Sequence, residues 1–76
     1  MMPARPRYPM PKFFREALEA RSLMAAYRAR PPYQQNDYIG WVTRAKLEST
    51  RQKRLKQTLD ELKRGGLYMK MKWDQK

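Results

Sequence analysis

The chain has 76 residues and a formal net charge of +11, from 18 lysines and arginines against 7 acids. A chain this short forms one domain, because two cores would each bury too little surface to be stable. It has no cysteine and no histidine, which removes disulfides, thiolate chemistry, the commonest metal ligand and the commonest general base.

All six prolines lie within the first 32 residues. Pro3, Pro6, Pro9 and Pro11 are spaced too closely for a helix to start before Pro11. Residues 1–10 therefore read as a flexible, proline-rich arm carrying Arg5, Arg7 and Tyr8. Nothing in that arm is apolar for long enough to form a signal-peptide core. No run of the chain approaches the ~18 residues of a membrane span, so the expected location is the cytoplasm.

A helical domain is expected over residues 11–66. Pro11 is tolerated in the first turn of a helix, and Lys12 to Ala20 follows with Phe14, Ala17 and Leu18 on one face. Ser22 is placed to cap a short second helix from Leu23 to Arg28, unless the two run together as far as Ala29. Pro31-Pro32 ends that element. A third helix is expected from Tyr33 or Gln34 to Ala45 or Lys46, with Tyr38, Val42 and Ala45 recurring on one side and Ile39 and Trp41 flanking. Gly40 costs roughly 1 kcal/mol there relative to alanine, which suggests the close approach of another helix.

The fourth helix carries the stripe Leu55, Leu59 and Leu62 beside Thr58. Glu48, alone or with the hydroxyl of Ser49 as a cap, suits its start, and Lys63 and Arg64 suit its end. Gly65-Gly66 terminates it in the left-handed manner. The fold class is thus all-α, a bundle of three or four helices. Its expected core is Phe14, Leu18, Tyr27, Tyr38, Val42, Ala45, Leu55, Leu59 and Leu62. The tail, residues 67–76, alternates Leu67, Met69, Met71 and Trp73 with polar side chains, so it should lie extended across the helices or be disordered beyond Met69.

Catalysis is poorly served by these residues. Asp60 and Glu61 are neighbours on a helix and point about 100° apart, so they do not share a metal or a proton. Ser22 and Ser49 lack a base and sit at helix starts, where capping explains them. Gly65-Gly66 follows a helix, whereas a phosphate loop precedes one. No catalytic residue, cofactor, metal or small-molecule substrate is expected.

Charge is the strongest functional signal. Lys53, Lys56, Lys63 and Arg64 fall on the fourth helix away from the leucines, with Asp60 among them, and such a face can track the phosphates of DNA or RNA. Arg51 lies in line with the leucines instead, and should either snorkel to the edge of the core or pair with an acid such as Asp37 or Glu48, most simply as a clamp between the third and fourth helices. Tyr33, Tyr68 and Trp73 are the aromatics expected to remain partly exposed, as stacking on bases would require. Tyr38 and Trp41 fit the core.

The run Tyr38-Ile39-Gly40-Trp41-Val42, Ala45-Lys46, Thr50-Arg51 and Arg54-Leu55 resembles a pattern of the YdeI/OmpD-associated family, also labelled bacteriocin-protection proteins. Ala17-Leu18, Tyr27 and Pro31-Pro32 extend the likeness, which spans about Pro11 to Gly66. The resemblance implies a compact helical module without enzymatic activity, standing without the β-rich domain that precedes it elsewhere in the family. It gives Trp41, Lys46, Thr50, Arg51 and Arg54 as signature positions. A stress-associated protein-interaction module, using the surface near Lys46, Thr50, Arg51 and Arg54 on an unidentified protein partner, is the first functional expectation. Binding of nucleic acid or another polyanion through the basic face is the second. Docking of the Met/Lys/Trp tail on an anionic membrane is a third reading, with less behind it.

Overall fold

The computed structural model describes residues 8–73. Arg5, Arg7 and most of the proline-rich arm lie outside that range, as does the tail beyond Trp73. Four helices follow in order, α1 (Lys12–Ala20), α2 (Met24–Arg28), α3 (Pro32–Thr43) and α4 (Glu48–Arg64). They are succeeded by two short strands, β1 (Leu67–Tyr68) and β2 (Met71–Lys72). Helix α4 is the hub, packing against α2, α3 and β1.

The core is Phe14, Leu18, Leu23, Tyr27, Tyr38, Ile39, Val42, Leu55, Leu59 and Leu62. The apolar stripes of all four helices meet there, since none is wide enough to be stable alone. Phe14 and Tyr27 touch edge to face, with ring centroids 5.7 Å apart. Ala45, expected in the core, is only half-buried, because α3 ends at Thr43 before the stripe reaches it.

Neither serine caps a helix, contrary to expectation. Ser22 stands in the left-handed region at φ 57° and separates α1 from α2. Its amide donates to the Glu19 carbonyl (3.1 Å) and the Leu23 amide to the Leu18 carbonyl (2.8 Å). This pair of bonds is a Schellman ending, with buried Leu18 and Leu23 supplying its apolar contact. Ser49 lies inside α4, whose N-cap is Leu47 and has no side-chain cap bond. Pro32 occupies the first turn of α3, one residue earlier than expected, where its missing amide costs nothing. The Gln35 side-chain amide donates back to the Arg30 carbonyl (2.7 Å), securing the turn between α2 and α3.

Gly40 makes room for a side chain of the N-terminal segment rather than for a helix. A Cβ there would come within 2.6 Å of Cε2 of Tyr8 and 2.9 Å of Nη1 of Arg44. The Tyr8 amide also donates to Oδ1 of Asn36 at 2.9 Å, so this residue is anchored on α3.

The tail differs from a single extended segment. After the left-handed cap at Gly65, φ 82°, β1 and β2 pair antiparallel, with Leu67 opposite Lys72 and Tyr68 opposite Met71. Met69 and Lys70 form the two-residue turn, both at positive φ (50° and 65°), as a type I′ hairpin requires. The Trp73 amide closes the hairpin on the Gly66 carbonyl at 3.0 Å.

Candidate functional site

Lys53, Lys56 and Arg64 of α4 and Lys70 of the hairpin turn line one open groove of about 380 Å³, together with Asp60 and Glu61. Positions 53, 56, 60 and 64 share a face by the 3.6-residue period, opposite the leucine stripe. From Lys53 to Arg64 is eleven residues, about 16 Å along the axis at the helical rise. All four basic side chains are exposed. Lys63 is exposed as well, but does not line the groove. Of the four cations chosen on helical spacing, the structure brings three together and adds Lys70 from outside the helix. Such a constellation holds anionic oxygens by charge and by N–H donation, and Arg64 can grip two at once.

The two acids of the groove behave differently. Asp60 is exposed, whereas Glu61 is turned inward and 3% exposed. The Glu61 carboxylate accepts four hydrogen bonds. Oε1 receives the Tyr38 hydroxyl (2.6 Å) and the Met69 amide (2.8 Å). Oε2 receives the Lys70 amide (2.8 Å) and the Gln57 side-chain amide (3.0 Å). The Tyr38 hydroxyl is raised far above the usual phenol range, by burial first and then by its bond to Glu61. Burial also pushes the Tyr27 hydroxyl up to about 12.

Arg30 lies beneath the same region, 3% exposed. Its guanidinium donates to the Glu61 backbone carbonyl at 2.9 Å and to Oε1 of Gln34 at 3.0 Å. Its plane also faces the Trp73 ring, 4.6 Å from the centroid. Sequence reasoning passed over Arg30 and Gln34. The signal for Gln34 was available, because it continues the Tyr38–Val42 stripe back by one helical turn.

The signature positions divide between holding the fold and facing solvent. Nη1 of Arg54 donates to the Trp41 carbonyl at 2.8 Å, in the last turn of α3, and the guanidinium lies 5.3 Å from the Trp41 ring centroid. Arg54 is therefore the clamp between α3 and α4. Arg51 pairs with Glu48, one of its two expected partners, but one turn back in its own helix, and stacks on Phe13 of α1, 4.8 Å from the ring, so it is not the α3–α4 clamp. The Glu48 carboxyl is held below its usual range by a bond from Gln52 and by the Arg51 charge. Thr50 is half-buried; Lys46 is exposed, beside a Leu47 that is 66% exposed.

A family model described as "Bacteriocin-protection, YdeI or OmpD-Associated" matches residues 7–65. The chain belongs to this family. Comparison with curated proteins and with solved structures gave no match. The YdeI/OmpD-associated match takes in all four helices and stops at Gly65, so the hairpin that brings Lys70 lies beyond the matched span. Three cations of the groove thus stand on the family helix α4, and the fourth stands on a segment outside it.

The aromatics that base stacking would need are committed within the fold. The Tyr68 hydroxyl donates to Asp37, and its ring meets those of Tyr33 and Tyr38 edge to face at 5.9 and 5.5 Å. Trp73 covers Arg30; Tyr33 is exposed, at 46%, and Tyr68 and Trp73 are partly exposed, as expected. Among the described residues, no group of three His, Cys, Asp or Glu side chains is placed to hold a metal ion. No described helix is long and apolar enough to cross a membrane.

Proposed function

We propose that this member of the YdeI/OmpD-associated family is a non-enzymatic, cytoplasmic module that binds polyanions, nucleic acid above all, through the groove of α4. The observation that carries the reading is the convergence of Lys53, Lys56, Arg64 and Lys70 on one groove. With the candidate stacking rings engaged by other side chains, the phosphate backbone is the feature of a nucleic acid that this surface addresses. Fluorescence anisotropy with labelled mixed-sequence DNA and RNA duplexes tests it. Four neutralised phosphates give a log–log salt slope of about −3.6, or about 100-fold loss of affinity between ~50 and ~200 mM salt. Lys53→Glu with Lys56→Glu should abolish the binding while leaving the helical circular dichroism unchanged. No binding by the wild-type chain at low salt would end this reading.

A second reading, a stress-associated module that docks a protein partner, is favoured by the exposed Leu47 beside Lys46 in the α3–α4 connection. Under that reading, Lys46→Ala and Leu47→Ser change the proteins captured by the chain. The same two variants leave nucleic-acid binding nearly intact.

A further inference from the structure

Lys70 owes its place at the groove to an unusual turn. Two successive residues at positive φ are normally Asn-Gly or Gly-Gly, and here they are Met69 and Lys70. A side chain in the left-handed region is disfavoured, and a two-strand hairpin is marginal by itself. Something outside the hairpin must therefore hold it, and the Glu61 carboxylate meets both turn amides. One oxygen takes the Met69 amide and the other the Lys70 amide, each at 2.8 Å. The carboxylate is itself fixed by the Tyr38 hydroxyl and the Gln57 side-chain amide.

We infer that Glu61 is a positioning residue of the polyanion groove: clasping the Met69 and Lys70 amides, its carboxylate fixes Lys70 as the fourth phosphate-binding cation. The inference rests on the polyanion reading and goes beyond it, because it assigns an acid a favourable part in binding an anion. Simple electrostatics gives the opposite sign. An acid lining a basic groove repels phosphate, so neutralising it should tighten binding. Positioning predicts that neutralising it weakens binding, since the amide of glutamine has one acceptor oxygen where the turn needs two.

The experiment compares wild type, Glu61→Gln, Lys70→Ala and the double variant, using a labelled mixed-sequence DNA duplex across a salt series. Amide NMR spectra of the same samples report the Met69 and Lys70 signals. Lys70→Ala should lower affinity about tenfold at ~50 mM salt and make the salt slope shallower by about 0.9, the value of one phosphate contact. Glu61→Gln should reproduce both changes, and adding Lys70→Ala to it should change little further. The Met69 and Lys70 amides should lose their protection from exchange in Glu61→Gln, with helical circular dichroism retained. If that variant fails to fold, Glu61→Asp keeps the charge and withdraws it by one methylene, and the same loss is expected. Binding by Glu61→Gln as tight as wild type, or tighter, overturns the inference and leaves the groove standing. A wild-type chain that binds no duplex at low salt overturns the groove and this inference together.

Discussion

Three arginines that each lie against an aromatic ring have different stabilities at stake. Arg54 satisfies the Trp41 carbonyl, which the end of α3 leaves without a helical donor. Arg51 pairs with an exposed Glu48 and covers Phe13. Arg30 is buried, with its donors on the Glu61 carbonyl and the Gln34 side chain. Removing a donor that leaves a shielded acceptor unpaired costs about 1–3 kcal/mol, whereas an exposed ion pair contributes about 0–1 kcal/mol. Arg51→Ala should therefore be the mildest of the three and Arg54→Ala intermediate. Arg30→Ala should be the worst, since it also opens a space under Trp73. Urea denaturation of the three variants checks the order. An Arg51→Ala chain less stable than Arg54→Ala would mean that the Phe13 contact outweighs the α3–α4 clamp.

Two left-handed residues delimit elements, one glycine and one not. Gly65 closes α4 at φ 82° at little steric cost, and Ser22 closes α1 at φ 57° with a Cβ in the way. Substituting each in the opposite sense should have opposite effects. Gly65→Ala should destabilise by about 1 kcal/mol, and Ser22→Gly should stabilise by a few tenths to about 1 kcal/mol. Thermal unfolding reads both, since 1 kcal/mol is about 4–8 °C for a domain this small. The same pair shows why some elements were legible in the sequence and others were not. Glycines after Lys63-Arg64 announce a helix end, while a serine after Ala20-Arg21 looks like a beginning. The leucine stripe of α4 is periodic and local, so its buried face and the three cations opposite it could be read directly. The hairpin could not. Its strands are two residues long, its turn has none of the usual turn residues, and the group that holds it is a carboxylate eight residues back on a helix. For the same reason Lys70 was legible only as part of an alternating tail.

At the scale of the whole molecule, a net charge of +11 on 76 residues is a standing cost to the compact state, because like charges repel one another more in the folded chain than in the expanded one. Lys53, Lys56, Arg64 and Lys70 around one groove concentrate that repulsion. Screening should relieve it, as the Debye length falls from about 30 Å at 0.01 M salt to about 8 Å at 0.15 M. The free protein should accordingly melt at higher temperature as salt rises over that range. Added polyanion should do the reverse. At low salt it should neutralise the groove and bind the folded chain, which holds four cations together, more tightly than the unfolded one, raising the melting temperature by mass action. By ~200 mM salt, weakened phosphate contacts should leave that benefit nearly gone. Melting curves with and without a DNA duplex, at low and moderate salt, should therefore converge from opposite directions. A free protein that becomes less stable with salt would show that attractive pairs such as Glu48–Arg51 outweigh the repulsion. The excess charge would then be no reason for the chain to seek an anionic partner.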